Sequence, residues 1–215
     1  MEGRFIVVEG ADGVGKSTQV RMLVDYLKGK GLEVVAVREP GGTRTGERIR
    51  SILRDPSLRG MSVKTEMFLY MASRAQLVEE VIGPALSEGK VVVADRFSLS
   101  TAVYQGCAGG LGEDVVHQAV QVAAGGVEPA LTLVIDVDEK KWLKRKGFER
   151  DGVQMGLLDE APDREERKGV EFHRKVRRAY LELARKCKGA VVIDGTGEPQ
   201  EVHRRVVEAV EDALF

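Results

Sequence analysis

A glycine-rich segment near the start of the chain, residues 10–17, has the spacing G-x-x-x-x-G-K-S of a phosphate-binding loop, or P-loop. It follows an apolar run at 5–8 and opens a helical pattern at 17–28, which is the strand–loop–helix context that the motif requires. The glycines allow backbone N–H groups to surround a polyphosphate, and the helix adds the unpaired N–H groups of its first turn. We therefore expect this loop to bind a nucleoside triphosphate through Gly10, Ala11, Asp12, Gly13, Val14, Gly15, Lys16, Ser17 and Thr18.

Several side chains have the chemistry to act on that nucleotide. Lys16 is expected to reach the β- and γ-phosphates, and the Ser17 hydroxyl to coordinate Mg²⁺. Asp95 directly follows the apolar run 91–94, which is the Walker B pattern of a carboxylate that holds Mg²⁺ directly or through water. Because Asp ends many strands, this interpretation depends on the P-loop upstream. Arg96 is expected to direct its planar guanidinium toward a phosphate in the same crevice.

Two further segments carry candidates for a second substrate. The sequence R-E-P-G-G-T at 38–43 breaks the chain after an apolar run; either it presents Arg38, and Arg50 from the following helix, to a ligand, or it is a loop with an incidental ion pair. In the helical stripe that follows, most residues are expected to be core. Tyr70 and Arg74 are four residues apart, so a ring and a guanidinium share one face and suit one flat polar ligand.

Composition limits the class of protein. The chain has 215 residues, a net charge of −1, 43% hydrophobic and 31% charged residues, which is typical of a single globular domain. No overall basic field favours nucleic acid, and no apolar run reaches the length that a membrane helix needs. The two cysteines have no metal-ligand spacing and suit a reducing compartment, so we expect a cytoplasmic protein. The absence of asparagine and the many charged residues lean toward a thermophilic source.

Short apolar runs rich in valine and isoleucine alternate with helical patterns along the chain. The runs at 5–8, 33–37, 91–94, 131–135 and 190–193 predict five strands, and the segments between them predict helices at 17–28, 43–54, 64–87, 98–105, 113–124, 138–146, 164–187 and 198–213. This alternation predicts an α/β fold, a three-layer sandwich with a five-stranded parallel sheet flanked by helices. Ligands in such folds bind beyond the carboxyl ends of the strands.

A strongly basic run follows the fourth predicted strand. Six of the eleven residues from 140 to 150 are basic: Lys140, Lys141, Lys144, Arg145, Lys146 and Arg150. A solvated helix face is one interpretation. The polar loop that continues to residue 162 favours another, a mobile lid over the γ-phosphate spanning about 144–162 of a single 1–215 domain, because loops of this length are usually functional or disordered.

The motifs, taken in order, resemble those of the thymidylate kinases of the bacterial homodimeric kind, over essentially the whole chain. The matching segments are E-G-A-D-G-V-G-K-S-T at 9–18, R-E-P-G-G-T at 38–43, S-R-A-Q at 73–76, D-R-F at 95–97, S-T-A-V-Y-Q-G at 100–106 and D-R-E-E at 163–166. The P-loop is shared by many proteins, whereas the succession of the other motifs is specific. The resemblance implies the P-loop nucleotide kinase fold, ATP and dTMP as substrates, Mg²⁺ as cofactor and a homodimer.

The resemblance also implies a role for individual residues. Asp12 would face the 3′-hydroxyl of the acceptor nucleotide. Arg50 and Arg96 would hold its phosphate, with Arg38 nearby. Tyr70 would stack on thymine and Arg74 would read the edge of the base. The remaining contacts to the pyrimidine and the sugar would come from Ser100, Thr101, Tyr104 and Gln105.

One departure from the family pattern bears on the mechanism. Some members carry an arginine in the P-loop just after the acidic residue, where this chain has Gly13. Members of the other kind supply that charge from the lid, which makes Arg145 and Arg150 the catalytic candidates beside Lys16 and Arg96. Glu165 in D-R-E-E replaces a usual apolar residue, and nothing in the sequence explains this change.

Two other functions stay open at this point. One is a different nucleoside monophosphate or deoxynucleoside kinase on the same scaffold. The other is a non-catalytic P-loop switch, although a guanine-reading N-K-x-D motif is impossible in a chain without asparagine. The apolar stripe at 64–87 exceeds what one sheet face is expected to cover, which favours a helix-mediated dimer.

Overall fold

A computed structural model describes residues 3–58, 60–145 and 169–214, with residues 144, 145 and 169 described in the backbone only. Its five strands are β1 (Arg4–Glu9), β2 (Val34–Arg38), β3 (Val91–Asp95), β4 (Leu131–Asp136) and β5 (Ala190–Asp194). They form one parallel sheet in the order β2-β3-β1-β4-β5. The predicted fold class and all five predicted strands are confirmed.

Helices cover both faces of the sheet. They are α1 (Lys16–Gly29), α2 (Arg44–Arg54), α3 (Val63–Leu77), α4 (Gly83–Ser87), α5 (Ser98–Thr101), α6 (Glu113–Ala124), α7 (Glu139–Arg145), α8 (Gly169–Lys186) and α9 (Pro199–Leu214). Two π-helical turns, Val78–Ile82 and Ala102–Ala108, continue α3 and α5. The long helix predicted at 64–87 is therefore interrupted by the π-helical turn Val78–Ile82, after which α4 begins at Gly83. Among the described helices, none has the length and apolarity to cross a bilayer.

The middle of the sheet is the centre of the core because its three central strands, β3, β1 and β4, are buried on both faces. In β1 and β3 the side chains of Ile6, Val8, Val92 and Val93 are fully buried, which explains the uninterrupted apolar runs in the sequence. A local signal sets the start of α2: the Thr43 hydroxyl accepts the Gly46 N–H at 2.9 Å and caps the helix.

The polar residues that end the strands meet at one edge of the sheet. Val8 pairs with Asp95 in the β1–β3 ladder, Arg38 with Asp95 in the β2–β3 ladder, and Asp136 with Asp194 in the β4–β5 ladder. Because β1 is central, the P-loop that follows it emerges in the middle of this edge. The strand ends therefore bring the predicted motifs together.

Candidate active site

The P-loop joins the end of β1 to the start of α1 in the conformation that its glycines permit. Gly10, Gly13 and Gly15 have φ values of 136°, 81° and 102°, in the region that favours glycine. A Cβ on Gly10 would lie 2.4 Å from the Ile135 carbonyl oxygen. Gly15 is the N-cap of α1 and supplies no side-chain cap, so the N–H groups of the first turn are directed at the space in front of the helix.

Lys16 lies within this loop and is buried. Its Nζ donates a hydrogen bond to the Ala11 carbonyl at 2.8 Å and lies 4.0 Å from Asp12 Oδ1. Burial, assisted by the positive charge of Arg96, lowers the pKa of Lys16 to about 8. An incoming phosphate would supply the negative charge that favours the protonated amine.

Ser17 and Asp95 form the pair expected for a divalent cation. The Ser17 hydroxyl donates to Asp95 Oδ2 at 2.6 Å, and both residues border the P-loop cleft. A hydroxyl and a carboxylate beside a phosphate site are the hard oxygen ligands that Mg²⁺ prefers. The residues present therefore fit the cation that the sequence predicts.

A cavity of about 270 Å³ opens next to the P-loop, where the ends of β2 and β3 meet α2 and α3. It is lined by Asp12, Glu39, Pro40, Arg50, Leu53, Arg54, Tyr70, Arg74, Arg96, Ser100, Thr101, Tyr104 and Gln105. We call it the acceptor cavity. Of the residues predicted to bind dTMP, all but Arg38 line it.

Arg38 lies instead in the adjoining cleft of about 440 Å³ that contains the P-loop. Its Nη2 is 3.1 Å from Glu47 in an exposed ion pair. Four residues border both this cleft and the acceptor cavity: Asp12, Glu39, Arg50 and Arg96. The boundary between the two spaces thus carries two carboxylates and two guanidinium groups.

Arg74 is held rigidly at the wall of the acceptor cavity. Its side chain is 1% exposed, its Nε lies 2.9 and 3.0 Å from the two carboxylate oxygens of Glu39, and its Nη2 donates to Thr101 at 3.0 Å. Burial raises the pKa of Glu39, against the opposing effect of the Arg74 charge. Glu39 was not predicted as a site residue; its place directly after β2 was the available signal.

Arg96 donates hydrogen bonds to four different residues of the described site. Its Nη1 donates to Ser100 at 2.9 Å and to Tyr180 at 3.0 Å, and its Nη2 donates to Asp12 at 2.5 Å and to Tyr104 at 3.3 Å. Burial disfavours the charge, but the electrostatic effect of Tyr104 and Asp12 outweighs it and raises the pKa of Arg96 well above its usual value. Arg96 therefore stays a cation between the two ligand spaces.

Three contributors to this geometry were missed by sequence reasoning. Glu9 ends β1 and is fully buried beneath Arg96. Tyr180 reaches the same place from α8. Trp142 in α7 donates its Nε1 hydrogen to the Asp12 carbonyl at 2.6 Å, which ties the segment after β4 to the P-loop. The side chain of Arg145, Arg150 and most of the predicted lid at 144–162 lie outside the described residues.

The comparisons with known proteins agree with this geometry. The family model "Thymidylate kinase" matches residues 8–206. The chain is 43% identical to the thymidylate kinase of Thermoanaerobacter sp. (strain X514) over 215 residues, which is 100% of both chains. It is 46% identical to the thymidylate kinase of Caldanaerobacter subterraneus subsp. tengcongensis, covering 100% of this chain and 98% of that relative.

A solved structure agrees as well. The crystal structure of thymidylate kinase from Ehrlichia chaffeensis superposes with a TM-score of 0.77 at 28% identity, covering 98% of this chain and 100% of that one. The protein has a P-loop at the end of its central strand, an arginine-lined cavity beside it, and similarity to thymidylate kinases over its full length. The chain therefore belongs to the thymidylate kinase family.

Proposed function

We propose that this protein transfers the γ-phosphoryl group of Mg-ATP to dTMP, giving dTDP and ADP, a step of dTTP synthesis. The observation that carries the proposal is the shared wall between the P-loop cleft and the acceptor cavity, formed by Asp12, Glu39, Arg50 and Arg96. A phosphate bound in the cleft and a phosphate bound in the cavity would meet at these two guanidinium groups. In-line transfer requires the donor and acceptor phosphates to be adjacent and aligned in this way.

The reaction asks little covalent work of the protein. The acceptor oxygen of dTMP is already anionic, so no general base is needed. Lys16 and Arg96 spread positive charge over the transferring group, and the rigid cavity aligns the two substrates. The lid arginines Arg145 and Arg150 remain the proposed source of the charge that other members place at the position of Gly13.

Ser17 and Asp95 are the proposed ligands of Mg²⁺. When bound, the cation would neutralise charge on the β- and γ-phosphate oxygens. As the sequence predicts, the P-loop residues 10–18 are the proposed ATP site. We also propose that Asp194-Gly195-Thr196-Gly197, which lie at the end of β5 and directly after it, contact the adenine.

The walls of the acceptor cavity suit a thymine nucleotide. Tyr70 supplies one aromatic face, and the Arg74 guanidinium, fixed by Glu39, supplies N–H donors in a set orientation. Tyr104, whose hydroxyl donates to Asp12 at 2.9 Å, borders the space proposed for the sugar. Ser100, Thr101 and Gln105 complete the polar lining.

A homodimer, a single domain with a lid at about 144–162 and a cytoplasmic location are further parts of the proposal. Exposed apolar side chains support the dimer: Phe68 on α3 is 59% exposed, and Val115 and Val122 on α6 are 52% and 85% exposed. These two helices pack on each other, and we propose that the three residues belong to one apolar surface that a second copy would cover.

A coupled assay tests the proposed reaction. ADP release is measured with dTMP, dUMP, dCMP or dGMP as acceptor, for the wild type and for Lys16→Ala. We expect dTMP to be preferred and Lys16→Ala to lose on the order of 10³-fold in rate or more. Preference for another acceptor, near-normal turnover in Lys16→Ala, or ATP hydrolysis independent of any acceptor would each refute the assignment.

A further inference from the structure

Two buried side chains hold Arg96 and the residues that follow it. Tyr180 accepts from Arg96, and Glu9 accepts from Phe97 and Ser100. Neither Glu9 nor Tyr180 lines the acceptor cavity or the P-loop cleft. Their exposed fractions are 0% and 2%. A buried carboxylate is costly unless it is fully hydrogen-bonded, so its partners indicate what it is retained for.

One oxygen of Glu9 fixes the backbone that follows Arg96. Glu9 Oε1 accepts the N–H of Phe97 at 2.9 Å and that of Ser100 at 3.1 Å. These groups open α5, and the N-cap residue Phe97 provides no side-chain cap of its own. Arg96 has a φ of 75°, a left-handed conformation that a non-glycine residue keeps only when its surroundings enforce it. Glu9 supplies part of that enforcement.

The other oxygen sets the direction of two hydroxyl groups. Glu9 Oε2 accepts from the Ser100 hydroxyl at 2.6 Å and from the Tyr180 hydroxyl at 3.0 Å. The two hydroxyl oxygens also lie 2.8 Å apart, where either one is a possible donor to the other. Arg96 Nη1 is a donor only, so both oxygens accept from it, at 2.9 and 3.0 Å. The carboxylate thereby holds both hydroxyl oxygens beside the guanidinium.

The opposite edge of Arg96 is held differently. Nη2 contacts Asp12 at 2.5 Å, and Asp12 is 28% exposed and borders both ligand spaces. A dianionic phosphate arriving there competes with Asp12 for Nη2, whereas the two partners of Nη1, Ser100 and Tyr180, are both hydrogen-bonded to the buried Glu9.

We propose that Glu9 and Tyr180 are positioning residues that anchor the Nη1 edge of Arg96 permanently, so that only the Nη2 edge is exchanged from Asp12 to the phosphate of the acceptor nucleotide. This inference rests on the proposed function. The orientation of the Arg96 guanidinium is thereby set by residues outside the acceptor cavity. The guanidinium then needs no side-chain search when the nucleotide arrives, which is how a preorganised charge contributes to rate.

Tyr180→Phe is the test substitution, because it removes one hydroxyl and keeps the ring. Tyr26→Phe is the matched control: its hydroxyl also donates to a carboxylate, Glu211, near the far end of α1. We expect Tyr180→Phe to lower kcat/KM for dTMP by about ten- to a hundredfold, as expected for a lost hydrogen bond to a charged group. The KM for ATP should change by less than about twofold, and Tyr26→Phe should leave the kinetic constants unchanged.

A double-mutant cycle separates positioning from a general structural role. In an Arg96→Ala background, Tyr180→Phe should cause no further loss in kcat/KM, because the residue through which it acts is gone. Additive losses, an equal rise in both KM values, or wild-type kinetics for Tyr180→Phe would overturn the inference. Glu9→Gln should reproduce the dTMP-specific loss if it folds, since its amide NH₂ cannot accept from either hydroxyl.

Calorimetric binding of dTMP and of thymidine gives a readout that needs no turnover. The ratio of the affinity for dTMP to the affinity for thymidine measures the contribution of the phosphate. This ratio should fall in Tyr180→Phe and stay unchanged in Tyr26→Phe. If the wild type fails to phosphorylate dTMP, the proposed function is wrong. If the phosphate contribution to binding is the same in the wild type and Tyr180→Phe, the positioning inference is wrong.

Discussion

Single and double substitutions of the buried ion pair between Glu39 and Arg74 are expected to have different effects on the free energy of unfolding. Both side chains are nearly inaccessible, 4% and 1% exposed, and Arg74 Nη2 lies 2.5 Å from Glu39 Oε2. Glu39→Gln keeps the shape but leaves the Arg74 charge without its counter-ion, and Arg74→Met does the reverse. Breaking one partner of a buried pair costs about 3–5 kcal/mol of unfolding free energy.

That range corresponds to a fall in Tm of about 6–20 °C, at about 2–4 °C per kcal/mol for a chain of this size. The double substitution Glu39→Gln/Arg74→Met removes both charges, so the desolvation cost disappears together with the attraction. We expect the double variant to be within about 2 kcal/mol of the wild type. The central expected result is that the double variant has a higher free energy of unfolding than either single variant.

Urea unfolding of the four proteins measures these values, and dTMP binding is measured on the same samples. The double variant should remain folded and still bind dTMP poorly, because the guanidinium proposed to read the base is gone. Glu113→Gln is a control: Glu113 forms an exposed pair with Lys186 at 3.6 Å, and its loss should cost under about 1 kcal/mol. A double variant destabilised by the sum of the two single effects would refute the reasoning.

Two further predictions concern the cation and the assembly. Asp95→Asn should raise the Mg²⁺ concentration for half-maximal rate by about tenfold or more, because a neutral amide oxygen replaces a carboxylate ligand; a titration in which the wild type and the variant coincide would remove Asp95 from the metal site. Val122→Asp should convert a dimer to a monomer at micromolar concentration, because a carboxylate would be buried without a partner. Light scattering after size exclusion measures this, with Val192→Asp on β5 as the control. A wild type that is already monomeric would refute the dimer.

Most of the acceptor cavity was predictable because its residues stand in short motifs or on helices that follow the strands. Arg96 follows β3, Arg50 lies in α2, Tyr70 and Arg74 share α3, and Tyr104 lies in the turn after α5. The parallel topology brings the strand ends that precede these segments to one edge. Once the order of strands and helices is given by the apolar runs, the place of these side chains follows from the chain itself. Their individual roles in binding dTMP stay predictions.

The residues that support the cavity were not predictable in this way. In the sequence, Glu9 is only the residue before the P-loop, and Tyr180 is one tyrosine on an amphipathic helix. They are 171 positions apart in the sequence, and no periodicity connects them. Trp142 and Asp12 are separated by 130 positions. Contacts of this kind follow from how α7 and α8 pack against the sheet, which depends on tertiary shape and not on local pattern.

The missing P-loop arginine and the anchored Arg96 are connected through charge. The P-loop cleft already has four cations, Lys16, Arg38, Arg50 and Arg96, against the carboxylates of Asp12, Glu39 and Asp95. Burial first, and the charge of Arg96 second, lower the pKa of Lys16, so we expect added positive charge near the P-loop to have a cost before substrates bind. An arginine at position 13 would add to that cost permanently. A cation brought by a lid would arrive only with the phosphates that neutralise it, so glycine at position 13 fits a site whose other cations are already fixed in place.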